Sequence, residues 1–258
     1  MGASAELAPI AVSLVLLLSA AAFTYLSVQG TAFVSPFHTY IAAVSGPASL
    51  ALPLAISLVA GWALRQRLVD GHVENTRTRA PLRRTLVRTA WPGVLAALAL
   101  GVAIPLVCGV MTLVILPATG YSYYPDSYYV EPHQIPQWNA DAVTAGGLTS
   151  ASPWVYVAVH ALWAGAWGVV LAVMTQALVL VLRRPLAALV LPFALITALS
   201  IILALARLET LTPTASQFPT TLSPFPLWHV LPSFIAFAAA AAGLWAVVLR
   251  RLPELPHE

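Results

Sequence analysis

Arginine is placed along this chain in a way that few folds tolerate. The twelve basic residues are all arginine, and seven of them lie within 65–88: Arg65, Arg67, Arg77, Arg79, Arg83, Arg84 and Arg88. The apolar runs on either side carry almost no charge. A short basic loop between two runs, each near the ~20 residues a helix needs to cross a bilayer, stays on the cytoplasmic face. That loop therefore fixes the sidedness of everything around it.

Six apolar runs follow from this anchor, at about 7–28, 47–64, 86–116, 153–182, 185–206 and 226–249. With 65–88 inside, Arg183 and Arg184 fall inside between the fourth and fifth, and Arg250 and Arg251 fall inside after the sixth. The outer segments, about 29–46, 117–152 and 207–225, hold only Arg207. The expected architecture is all-α: one transmembrane domain over 1–258, six spans, both termini cytoplasmic. With 60% hydrophobic and 8% charged residues, against roughly a quarter charged in soluble domains, a water-soluble fold is excluded. The first run lacks the basic start of a signal peptide and reads as a retained helix. Arginines gathered at run ends, with a net charge of +3, point to membrane lipids and their anionic headgroups, not to nucleic acid.

Little in the sequence offers catalysis. No H-E-x-x-H pair, paired intramembrane carboxylates or glycine-rich phosphate loop occurs. Ala43-Val44-Ser45-Gly46 misses the G-x-S-G of intramembrane serine proteases at its first position. Cys108, the single cysteine, lies inside an apolar run, so it makes no intramolecular disulfide and is expected to be buried. His38, His133, His160 and His229 all map to the outer half, which leaves a haem- or metal-binding membrane protein as one alternative. Isolated histidines at membrane interfaces are usually plain polar residues, and no Met or Cys cluster supports these four. No acidic residue lies near the middle of a span, where an ion-coupled transporter needs one. The chain is not expected to be an enzyme or to need a cofactor.

The small residues and prolines of the middle spans (Gly61, Gly93, Gly101, Pro105, Gly109, Gly165, Gly168) read as close helix packing. Pro47, Pro153, Pro185 and Pro226 sit where first-turn prolines belong. The Tyr-rich segment 117–152 reads as an aromatic belt or as a small outer cap. Residues 29–46 are semi-polar and suit a segment that dips back into the membrane. The Thr/Pro-rich stretch 208–225 offers little from which to form a core.

The stretch D-G-H-V-E-N-T-R-T-R-A-P-L-R-R-T-L-V-R at 70–88, set between the second and third of six spans, resembles the permease subunits of ABC-2 type exporters. Asp70, Gly71 and Glu74 resemble the acidic part of that family's polar connecting helix, and Arg79, Pro81 and Arg84 resemble the basic turn after it. Arg-Arg-Pro at 183–185 is similar to the family's short inner turn between spans four and five. The resemblance implies a coupling helix that docks on a separate ATP-binding-cassette ATPase, with a second permease, a copy or a paralogue, completing the transporter. It implies a plasma-membrane exporter, and the lack of charge within the spans gives such a path an apolar wall, suited to lipid-like, peptide or other amphipathic cargo. The rival from outside transport is a membrane sensor or assembly subunit that uses the Tyr-rich outer segment.

Overall fold

The computed structural model describes residues 3–28, 31–69, 82–124, 130–182, 184–221 and 226–251. Among these there are helices and turns and no strand. Among these residues six long helices and a short one form the bundle: α1 (Ala3–Ser27), the short α2 (Pro36–Val44), α3 (Pro47–Val69), α4 (Leu82–Val110), then α7 (Pro153–Val181) and α8 (Pro185–Leu205), with α10 (Leu231–Arg251) closing it. Two short helices, α5 (Ile135–Asp141) and α6 (Gly147–Ala151), lie between α4 and α7, and α9 (Pro213–Gln217) lies between α8 and α10.

Proline and serine set the helix starts. Pro47, Pro153 and Pro185 each occupy the first turn of α3, α7 and α8, where a missing N–H costs nothing. Ser152 caps α7 by accepting from the Trp154 N–H at 3.2 Å, and Ser35 caps α2 by accepting from His38 N–H at 3.1 Å. The sixth helix departs from expectation: Pro226 opens a 3-10 turn at Leu227–Val230, and α10 begins only at Leu231. At the end of α8, Arg207 adopts φ 60°, and the Leu208 N–H reaches back to Leu203 O at 2.8 Å. This is a left-handed helix stop at a residue other than glycine, at a cost of about 1–2 kcal/mol.

Among the described residues, four helices are long and apolar enough to cross a membrane: Arg83–Ala118, Pro153–Val181, Leu186–Leu205 and Trp228–Arg250. On length and composition they mark a membrane protein. The apolar stretches found within α1 and α3, Ile10–Leu26 and Leu50–Gln66, are shorter. Large apolar side chains lie bare along α1 (Leu14, Leu18), α4 (Trp91, Leu95), α8 (Leu199, Ile202) and α10 (Ile235, Val247). In water so much apolar surface would aggregate; in lipid it is the expected outer face.

α7 stands in the middle, against α3, α4, α8 and α10. It runs antiparallel to α4 along a seam of small residues. A Cβ on Gly101 would lie 2.6 Å from Ala164 O, and one on Gly168 would lie 2.6 Å from Ala97 O. Gly93 is closed the same way, 2.9 Å from Ala60 O. Only hydrogen at these positions lets the backbones approach so nearly. Cys108, at 1% exposure, is buried beside Thr24. α4 runs on through Pro92 and Pro105 and leaves α-geometry at Met111–Ile115, a π turn just before Pro117. The wider turn makes room for that ring, which otherwise clashes with the carbonyl four residues back.

Hydroxyl groups are mostly settled inside their own helices. Thr24 donates to Ala20 O, Thr89 to Thr85 O, Thr112 to Cys108 O and Thr175 to Leu171 O, each at 2.8 Å. Gln176 is the exception, donating from α7 to Ala90 O of α4 at 2.8 Å. The antiparallel order of the helices puts Arg65, Arg83, Arg84, Arg88, Arg184 and Arg250 at one end of the bundle and Arg207 at the other.

Candidate functional site

The residues expected to couple to a partner divide sharply. Asp70, Gly71, Glu74, Arg79 and Pro81 lie outside the described residues. Arg84 is described, exposed on the first turn of α4 at the arginine end.

The four histidines all lie toward the opposite end, in four different settings. His133 is exposed, 3.2 Å from Glu131. His38 sits on α2, edge-on to Phe33 with centroids 5.4 Å apart, and burial lowers its pKa from the ordinary value. His229 stacks on Trp228 at 3.7 Å. His160 is buried on α7. Among the described residues no three His, Cys, Asp or Glu side chains are placed to share a metal ion.

What the fold gathers at that end is aromatic. The described parts of 31–46, 130–152 and 206–221 pack back onto α7 instead of spreading as loops. Tyr121 donates to Thr31 O at 2.8 Å, and the Ser35 hydroxyl donates to Asn139 Oδ1 at 2.8 Å. These two bonds join 31–46 to the described parts of 117–152. Tyr123 belongs to the latter, and burial, followed by the neighbouring Tyr121 phenol, raises its pKa to about 12. The stretch 206–221 overturns its sequence reading. Ser216 and Gln217 are fully buried and Phe218 nearly so. Trp163 of α7 donates to Ser216 O at 2.7 Å, and the Ser216 hydroxyl donates to Val230 O. Its polar side chains fix it to the bundle, which composition alone does not reveal.

Where these segments converge there is a chamber of about 270 Å3, lined by Leu148, Tyr156, Val159, His160 and Trp163 among others. Its walls are apolar apart from a few polar groups. Tyr40 of α2 lies 2.7 Å from His160 Nδ1, the only hydrogen bond of that hydroxyl. A phenol with one hydrogen bond is best satisfied by donating it, which assigns the imidazole proton to Nε2. Nε2 is buried and has no partner among the described residues, and neither has the Tyr156 hydroxyl. Ala145, also on the wall, is held at φ 59°, a strained conformation for alanine. A second cavity of about 220 Å3 opens between α3 and α8 on the other side of α9, with Gln217 in its wall. Both ends of the Gln217 amide are buried without a partner among the described residues.

Sequence reasoning singled out His160 but missed Tyr40, Tyr156 and Gln217. Tyr156 and His160 stand one helical turn apart in an otherwise apolar run, and that i, i+4 pairing was the signal available. Compared with protein-family models, curated proteins and solved structures, the chain matches none of them.

Proposed function

We propose that the chain is the membrane-spanning permease subunit of an ATP-binding-cassette exporter in the plasma membrane, with six spans and both termini cytoplasmic. α1 and α3 complete the six alongside the four longer apolar helices. A separate ATPase subunit hydrolyses the ATP, and a second permease completes the assembly. The observation that carries this reading is the connection between α3 and α4. Asp70 and Glu74 sit four residues apart within a run of seven arginines, suited to one face of a helix. Anionic headgroups repel two carboxylates at that place, whereas a basic cleft on a protein attracts them.

The bundle supports the reading in two further ways. No formally charged side chain is buried among the described residues, so the path is apolar and suits amphipathic, lipid-like or peptide cargo. The interior helix α7 rests on glycine and alanine seams, which allow two packings of similar stability, and ATP binding then need only bias one of them.

The test is the double reversal Asp70→Arg with Glu74→Arg. The variant should insert and melt as wild type does, yet lose the ATPase activity that co-purifies with the affinity-tagged wild-type chain. Undiminished activity in the variant, or none with the wild type, overturns the reading. The chamber at the other end favours a second reading, a membrane receptor without an ATPase, and the same measurement separates the two.

A further inference from the structure

We infer that the chamber at the outer end of α7 is a docking site for one acyl tail of a bilayer phospholipid, which enters sideways between α7 and α10. This rests on the chain's place in a membrane and holds whether or not it couples to an ATPase.

The wall decides the chemistry of the guest. Leu148, Val159, Trp163, Val230 and Leu231 line the space together with Tyr156 and His160. The Tyr156 hydroxyl and His160 Nε2 are wholly buried, and His160 Nδ1 is taken by Tyr40. Both residues therefore show the space ring carbon and hydrogen. The Trp163 N–H is spent on Ser216 O. Water settles in a cavity only where several polar groups hold it, so this one is dry. Left empty, it denies its lining the contacts that a close-packed interior makes. A hydrocarbon guest restores those contacts and asks for no hydrogen bond.

The mouth decides where the guest comes from. Val159 and Leu231 line the chamber and are also 46% and 43% exposed. They continue the bare apolar surface that includes Leu162, one turn along α7 from Val159. Trp154 and Trp228, both exposed, mark the headgroup level at this end of the bundle. Val159 and Trp163 lie about 8 and 14 Å further along α7 at ~1.5 Å per residue, at the depth of the tails. The medium at the mouth is therefore lipid, and tails are the most concentrated apolar groups in it.

The volume decides how much enters. A cavity of about 150 Å3 lined by aliphatic side chains accepts benzene; on that scale about 270 Å3 admits roughly ten carbons. That is the greater part of an ordinary tail and leaves no room for a headgroup, which stays outside at the tryptophan level.

The probe is a phosphatidylcholine with a diazirine at the end of one tail, doped into dioleoylphosphatidylcholine nanodiscs that hold the full chain. In a bilayer such tail ends gather at the midplane, beside residues such as Leu195, exposed halfway along α8. Leu148 of α6 lies in the chamber wall at the outer end, far from the midplane. After irradiation, mass spectrometry should find adducts on both Leu148 and Leu195. Val159→Trp and Leu231→Trp each narrow the mouth at an exposed position on a different helix. Each should remove the Leu148 adduct, keep the Leu195 adduct and melt as wild type does. No Leu148 adduct in wild type, or an undiminished one in both variants, overturns the proposal. So does labelling of Leu148 by the free diazirine fatty acid and not by the phospholipid, which makes the guest a detached single chain.

Discussion

α7 and α8 run side by side in opposite directions and invert the rule familiar from soluble proteins. α8 is the more hydrophobic, with mean hydropathy 2.6 against 2.0, yet 22% of its apolar window is buried against 72% for α7. α8 is an almost unbroken series of leucine, isoleucine and alanine. α7 carries His160, Gly165, Gly168, Thr175 and Gln176 and takes the centre. In lipid, greasiness does not drive a helix inward, because the tails are as apolar as leucine. Interior position goes to the helix whose small residues allow close approach and whose polar groups need protein around them. The hydropathy peak of this chain therefore marks its outside.

The comparison breaks most visibly at the α7 glycines. Gly168→Val places branched carbon against Ala97 O, within the 2.6 Å already too short for a Cβ. The expected result is loss of the monodisperse folded chain on size-exclusion chromatography. A folded, wild-type-like product would show that the seam is not close-packed. A middle effect belongs to Gln176→Ala, which removes the bond to Ala90 O at 2.8 Å and leaves a void at the centre. The cost should be about 2 kcal/mol, read from unfolding in mixed micelles. The smallest effect is on α8: Ile202→Ala, at a residue 59% exposed, should stay within about 0.5 kcal/mol of wild type. A large loss there would mean that another protein surface, not lipid, covers this face.

The same contrast explains what could be read in advance. Helix starts at Pro47, Pro153 and Pro185 were legible because proline at the first turn acts locally. The close packing at Gly93, Gly101 and Gly168 was legible because spacing of small residues is itself the signal. The burial of Ser216 and Gln217 was not. Their stretch is polar and Pro-rich, and what holds it inside is distant in sequence, Trp163 and Val230 lying 53 and 14 residues from Ser216. The chamber was half legible. His160 stood out as an ionisable residue in a run, but its tautomer depends on Tyr40, 120 residues away. The expected start of the last helix at Pro226 failed because a 3-10 turn intervenes.

The α4 side of the seam has a mechanical consequence. Gly93, Ala97, Gly101, Pro105 and Gly109 follow one another every four residues, all buried, and hydroxyls such as Thr112 and Thr175 are tied within their own helices. Such a track alternates glycine with Ala97 and Pro105 and so repeats only every second turn. Displaced by one turn, about 6 Å at ~1.5 Å per residue, it brings Ala97 to where Gly101 now lies, a place where a Cβ meets Ala164 O at 2.6 Å; glycine returns to glycine only after a second turn. Gln176 holds the present register from the other helix, its amide hooked on Ala90 O.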